Sequence, residues 1–332
     1  MTAAAPPLQV APGVHRISVP LPFPPREVAA WVIEGDAGHV LVDTGIDTRP
    51  ARDALREAAE ELGVTPRSLR FVVLTHAHID HYGLAGPVRE WSGARLAMHA
   101  REDELARRFV ERWPEDRVGV AENFLSGGIP APLAEALLAA SDRIHQRYEY
   151  YPPDVLLQGE RGTLPGDGGW EWILTPGHSP GHVTVYHPER GILIAGDHVL
   201  PRISPNIGAD LYAEDPLADY LASLRRLREL PVSLVLPSHG EPFGDLAGRI
   251  DWILAHHDER NAQTVEALDR PRTAFEVTLR LFPELPPDHF LHALREARAH
   301  LIYLCGRGVV ERDVRGGVEV WMRAQGPAPG GA

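Results

Sequence analysis

Thr75-His76-Ala77-His78-Ile79-Asp80-His81 places three imidazoles and a carboxylate within six residues, directly after the apolar run Leu69-Arg70-Phe71-Val72-Val73-Leu74. Imidazole nitrogen and carboxylate oxygen are the ligands that zinc and similar cations prefer. On a loop that leaves a buried strand, alternate residues can point at two different metal positions. Taken alone, the stretch could also be a histidine-rich surface loop that binds nothing. The rest of the chain argues against that.

Three further loops repeat the arrangement. Thr175-Pro176-Gly177-His178-Ser179-Pro180-Gly181-His182 follows the strand-like Trp170-Glu171-Trp172-Ile173-Leu174, Gly196-Asp197-His198 follows Ile192-Leu193-Ile194-Ala195, and Ser238-His239-Gly240 follows Val232-Ser233-Leu234-Val235-Leu236. In each, an apolar strand leads into a small residue or turn former and then a side chain able to bind metal. Glycine lets backbone approach a crowded site. One histidine after a strand is ordinarily a tolerated surface residue, but four such loops in one chain are hard to read that way.

Together with Leu41-Val42-Asp43-Thr44-Gly45, these motifs lie between about residue 12 and residue 245, and the set resembles the metallo-β-lactamase superfamily, in pattern its glyoxalase II-like branch. The resemblance implies a four-layer αββα sandwich over residues 13–245 and a dinuclear hydrolase site. It implies that His76, His78 and His178 hold one metal, that Asp80, His81 and His239 hold the other, and that Asp197 bridges them. Asp43 and His182 match positions that hold the ligand loops from behind by hydrogen bonds, though both could be ordinary strand or turn residues. The best-known secreted zinc β-lactamases usually carry a cysteine where Asp197 stands, so antibiotic hydrolysis is not expected. Zinc is the expected ion, with iron and manganese as alternatives that the same donors accept.

Composition narrows the chemistry. The 332 residues, 44% of them hydrophobic, suffice for a sizeable core and more than one domain. No apolar run approaches the roughly 18 residues of a membrane helix. Met1-Thr2-Ala3-Ala4-Ala5-Pro6-Pro7 has neither a basic region nor an apolar one, so a cytoplasmic protein without a membrane partner is expected. Cys305, the single cysteine, allows no intrachain disulfide and no cysteine-rich zinc site. All 33 residues in the lysine-plus-arginine total are arginine; the absence of lysine removes Schiff-base chemistry, pyridoxal phosphate attachment and a P-loop lysine. The formal net charge of −13 disfavours polyanions as partners.

Outside the motifs, residues 1–12 read as a flexible lead-in. Val14–Val19, Val28–Glu34 and His39–Asp43 read as strands, with a hairpin turn at Gly35-Asp36-Ala37-Gly38. Arg49–Leu62 reads as a helix with Ala54, Leu55, Ala58 and Leu62 on one face. Residues 101–158 break the strand–helix rhythm and put 100 positions between His78 and His178. They read as a helical insertion whose Trp113, Phe124, Tyr148, Tyr150 and Tyr151 either roof the site or merely pack the insertion down. Tyr151 is therefore a candidate substrate contact, as are Arg202, Asn206 and Tyr212 on the proline-bracketed segment after Asp197. A plain surface-loop reading stands beside each of these.

From 246 to 323 the pattern is Arg249–Leu268, Thr273–Leu281 and Pro287–Cys305 as helices, then two strand-like runs around Asp313-Val314-Arg315-Gly316. Three helices and a hairpin resemble a winged helix of the kind found in relatives of the β-lactamase-like mitochondrial endoribonuclease. From residue 245 onward 11 arginines face 13 carboxylates, a net of −2, whereas a module that neutralises phosphates presents a basic face. The balance favours an appendage that packs on the hydrolase or joins a homodimer over one that binds nucleic acid. Ala324–Ala332 reads as a flexible Pro/Gly-rich tail.

The leading expectation is a hydrolase acting on a small acyl substrate, a thioester, ester or lactone, through a hydroxide shared by two metals. Asp80 is the expected catalytic residue, orienting that hydroxide and relaying a proton to the leaving group. The alternatives are an endoribonuclease or phosphodiesterase that uses the winged-helix-like module, and a mononuclear iron dioxygenase that uses part of the ligand set.

Overall fold

The computed structural model describes residues 6–35, 37–209, 211–286 and 289–324. The first sheet contains β1 (Leu8–Ala11), β2 (Val14–Pro20), β3 (Glu27–Gly35), β4 (Gly38–Val42), β5 (Leu69–Val73), β6 (Arg95–His99) and β7 (Val155–Leu157), in that spatial order. Its first four strands pair antiparallel and β4 to β7 parallel. The second sheet has the order β12 (Leu234–Pro237), β11 (Ile192–Gly196), β10 (Val183–His187), β9 (Glu171–Leu174) and β8 (Arg161–Thr163). A separate hairpin joins β13 (Val310–Arg315) and β14 (Val318–Arg323).

Side chains alternate across a strand, so a sheet covered on both faces reads as a continuous apolar run. In β3 the alternation assigns Val28, Ala30 and Val32 to one core and Ala29, Trp31 and Ile33 to another. The second of these cores lies between the sheets, where Trp31, Val42 and Val73 meet Trp172, Val183, Val185 and Ile194. The first lies under helices α1 (Arg49–Glu61), α2 (Ile79–Tyr82) and α3 (Ala85–Ser92), which supply Ala51, Leu55, Ala58, Tyr82 and Val88. Helix α1 begins where the Thr48 side chain accepts from the Ala51 N–H, with Pro50 in its first turn.

The remaining helices are α4 (Ala100–Glu111), α5 (Trp113–Ser126), α6 (Ala131–His145), α7 (Pro216–Arg228), α8 (Leu246–Ala267), α9 (Ala274–Leu281) and α10 (Phe290–Cys305). The chain clusters into two compact units. One holds the residues up to Glu111 with Tyr148–Pro205 and Ala222–Ile250; the other holds Arg112–Arg147, Asn206–Leu221 and the chain from Asp251 onward. Both sheets and their metal-capable loops belong to the first unit. In the second, Phe124, Ile129, Leu137, Leu138 and Leu294 form a core in which α5 and α6 meet α10.

Some expectations change. Leu8–Ala11, read as part of a flexible lead-in, pairs antiparallel with β2, because Leu8, Gln9 and Ala11 find Arg16, His15 and Val14 as ladder partners. The hairpin expected to turn at Asp313–Gly316 turns at Gly316-Gly317, with φ 60° and 83°. Two positive φ values in a two-residue loop suit the right-handed twist of the flanking strands, and they leave Asp313, Val314 and Arg315 in the ladder. The tail from Gln325, Met1–Ala5, and Asp36 of the first expected turn lie outside the described residues.

Candidate metal centre

The candidate ligands all leave the C-terminal ends of strands. His76, His78, Asp80 and His81 follow β5 of the first sheet, while His178, Asp197 and His239 follow β9, β11 and β12 of the second. The fold brings all seven together. His76, His78 and His178 form one group of converging donor atoms, His76, His81 and Asp197 a second, and Asp80, His81 and His239 a third, each within 4.8 Å.

His78 Nδ1 lies 2.9 Å from His76 Nε2 and 3.0 Å from His178 Nε2. Asp197 Oδ2 lies 3.5 Å from His81 Nε2 and 3.6 Å from His178 Nε2, while its Oδ1 lies 3.6 Å from His239 Nε2. Asp80 Oδ2 is 3.5 Å from His239 Nε2 and 3.7 Å from His81 Nε2. Donors about 2.0–2.1 Å from one tetrahedral zinc stand roughly 3.4 Å apart, so these spacings fit shared cations. His81 Nε2 and Asp197 Oδ1 are buried and have no hydrogen-bond partner among the described residues. Orphaned buried polar atoms are costly unless an ion or water satisfies them. The donor set therefore fits divalent metal.

A ring of hydrogen bonds selects which nitrogen faces the centre. Asp43 Oδ2 accepts from His81 Nδ1 at 2.9 Å and from Thr75 Oγ1 at 2.8 Å, and its Oδ1 accepts from the Thr75 N–H at 2.8 Å. Thr75 Oγ1 lies 3.0 Å from His76 Nδ1, leaving Nε2 of both His76 and His81 directed inward. His239 Nδ1 donates to the Glu27 carbonyl at 3.0 Å. His182 is fully buried; its Nε2 accepts from the Asp197 N–H at 3.2 Å, and its Nδ1 lies 2.9 Å from Thr175 Oγ1. Gly196, at φ 54°, admits His182 because an added Cβ would stand 2.5 Å from His182 Nε2. Asp43 and His182 thus hydrogen-bond to the loops that carry the candidate ligands.

Burial pushes His76 well below the usual imidazole range and His78 down to about 3, with neighbouring imidazoles adding to the effect. Both rings are neutral near pH 7, as lone-pair donors must be. Burial works against the Asp80 carboxylate, yet His81 and His239 outweigh it and hold Asp80 down to about 2. Burial also opposes charge on His239, but Asp197 and Asp80 prevail and lift it to about 10.

The pocket candidates make other contacts. Tyr151 packs beside Tyr82 at 6.1 Å between centroids, and its hydroxyl donates to Glu149. Arg202 is exposed. Asn206 Nδ2 donates to the His292 carbonyl and the Tyr212 hydroxyl to Asp116, both within the second unit. The insertion's other aromatics are likewise engaged: Trp113 donates to Asp142 and stacks on His145, Tyr150 donates to Asp103, and Tyr148 donates to the Ala77 carbonyl. Residues whose part sequence reasoning missed are Thr75, Tyr148 and Glu102. Thr75 was signalled by its place beside His76; the other two carry no local signature.

A family model described as the metallo-β-lactamase superfamily matches residues 23–239. Among solved structures, a metallo-β-lactamase family protein from Thermus thermophilus is 34% identical with a TM-score of 0.82, covering 95% of this chain and 100% of that one. A β-lactamase domain protein from Burkholderia ambifaria is 30% identical with a TM-score of 0.84, covering 97% of each chain. A probable metallo-hydrolase of Bacillus subtilis is 28% identical over 305 residues, 87% of this chain and 91% of that protein. With the family model spanning well over half of its length and relatives alike from end to end, this chain belongs to the metallo-β-lactamase superfamily and is a metallo-hydrolase of that fold.

Proposed function

We propose that this enzyme hydrolyses a small acyl compound, a thioester, ester or lactone, at a centre of two divalent cations, with zinc the preferred ion. The observation that carries the two-ion reading is the placement of Asp197, one oxygen toward His81 and His178 and the other toward His239. A carboxylate so placed suits a bridge. When bound, such a pair supplies Lewis acidity and lowers the pKa of water enough to give a nucleophile near neutral pH.

The chain's own residues then have distinct tasks. Asp43 and the Glu27 carbonyl orient His81 and His239, and the Thr75 hydroxyl orients His76. Of the two carboxylates in the cluster, Asp80 is the more open, its side chain 17% exposed against 11% for Asp197. That access suits Asp80 Oδ2 to orient the attacking water and pass a proton to the leaving group. An acyl rather than a nucleic-acid substrate is supported by the net charge of −13 and by the acidic balance beyond residue 245.

The endoribonuclease reading keeps one observation in its favour: α8, α9 and α10 followed by the β13–β14 hairpin reproduce the element order of a winged helix. Metal analysis of purified protein, with a panel of thioesters, lactones, phosphodiesters and RNA, decides among the readings. Two ions per chain with chelator-sensitive acyl hydrolysis is the expected result. Salt-sensitive RNA cleavage without acyl turnover would replace it with the nuclease, and one iron per chain would replace it with the dioxygenase.

A further inference from the structure

Three consecutive carboxylates, Glu102-Asp103-Glu104, open α4, and their environments differ. Glu104 is exposed and Asp103 accepts from the half-buried Tyr150 hydroxyl, but Glu102 has no exposed surface. Its two oxygens are shared between two loops of the centre. Oε2 accepts from the Ala77 N–H at 2.8 Å, and Ala77 is the residue between His76 and His78. Oε1 accepts from Ser179 Oγ at 2.6 Å and from the Gly181 N–H at 2.7 Å, in the loop that carries His178.

Two more features act on the same loops. The Ala77 carbonyl accepts from the buried Tyr148 hydroxyl at 2.8 Å, so both backbone groups of Ala77 are gripped by side chains. Gly181 lies so close to the start of α4 that an added Cβ would stand 2.8 Å from Arg101 Cβ and from the Glu102 backbone nitrogen. Only glycine lets the loop come down onto the carboxylate without a shift.

We propose that Glu102 is a positioning residue that sets the spacing of His76, His78 and His178, and with it the affinity of one of the two metal sites. The proposal rests on the dinuclear reading above. Glu102 bonds directly to the loops that carry His76, His78 and His178, so the larger effect is expected at the site those three would form. A carboxylate accepts at both oxygens, whereas an amide of the same size accepts at only one and turns an NH2 toward a donor. Glu102→Gln therefore opposes either Ala77 or the Ser179–Gly181 pair and leaves a buried donor without an acceptor.

The test is a zinc titration of chelator-stripped protein against a chromophoric competitor, together with thermal unfolding of the stripped chain. Wild type is expected to take two ions. Glu102→Gln is expected to unfold cooperatively when stripped, to weaken one binding step by about 10- to 100-fold and to change the other less. It should match His178→Ala in which step weakens and differ from His239→Ala. Glu102→Asp, which keeps both acceptors on a shorter stem, should fall between. Unchanged affinity in both steps, or equal weakening of both, overturns the proposal while leaving the two-ion reading intact. A wild type that binds no zinc removes that reading and this one together. Should Glu102→Gln fail to fold, Ser179→Ala removes a single donor; a smaller loss confined to the same step supports the proposal, and two unchanged steps overturn it.

Discussion

Asp43 has a φ of 61°, in the left-handed region, where a residue other than glycine pays roughly 1–2 kcal/mol. Its carboxylate meets Thr75 twice and His81 once, and those bonds hold it there. Asparagine tolerates the same backbone, but its NH2 would face either the Thr75 N–H or the Thr75 hydroxyl and His81, so Asp43→Asn loses acceptors as well as charge. It should lower zinc affinity by about 10- to 100-fold and destabilise the stripped protein by about 1–3 kcal/mol, as competition titration and urea unfolding would show. Asp197→Ala and His78→Ala each remove one of the candidate ligands. With Lewis acidity supplying several kcal/mol, either should cut kcat by roughly 10³-fold or more while circular dichroism stays near wild type. Full activity in either variant would remove the metal mechanism. That these seven side chains would converge was legible because the four loops carrying them each follow an apolar strand. Glu102 was not, since in sequence it is one of three adjoining acids, and only the approach of two distant loops distinguishes it.

At the scale of elements, the helices whose ends carry chemical signals were legible. In α9 the Thr273 side chain accepts from the Glu276 N–H while the Glu276 side chain accepts from the Thr273 N–H, a complete capping box. Thr273→Ala should cost about 1 kcal/mol, read as a lower midpoint in urea unfolding. An unchanged midpoint would mean that tertiary packing alone fixes the start of α9. Helix α5 was harder to read: Pro114 and Gly119 look like breakers, yet Pro114 lies in the first turn, where its missing N–H costs nothing. Strand β1 lacks an alternating pattern and stands between prolines, so only pairing with β2 defines it. The doubly buried strands of the first sheet announced themselves as unbroken apolar runs, but sequence could not say which residue faced which core.

The molecule as a whole carries its ionisable burden unevenly. His257 on α8 and His300 on α10 lie 3.4 Å apart, with His300 also 2.8 Å from Asn261. Burial, reinforced by neighbouring cations and imidazoles, lowers His257 to about 3 and takes His300 well below the usual range. Unfolded histidine binds a proton near pH 6.5, whereas the buried rings resist it, so the unfolded state gains more protons as pH falls. Stability should be full above about pH 6.5 and then decline toward pH 3, each ring contributing a slope of about 1.4 kcal/mol per pH unit. Urea unfolding between pH 7 and pH 4 would measure this, and His257→Gln should flatten the slope. An identical slope in that variant would place the acid sensitivity elsewhere. A different coupling follows from where the donors originate. Four come from one β-sheet and three from its face-to-face neighbour, so any ion seated among them acts as a rivet across the seam. Mass action then ties cohesion of the sandwich to free metal concentration: the melting temperature should climb with added zinc well past stoichiometry and drop on chelation.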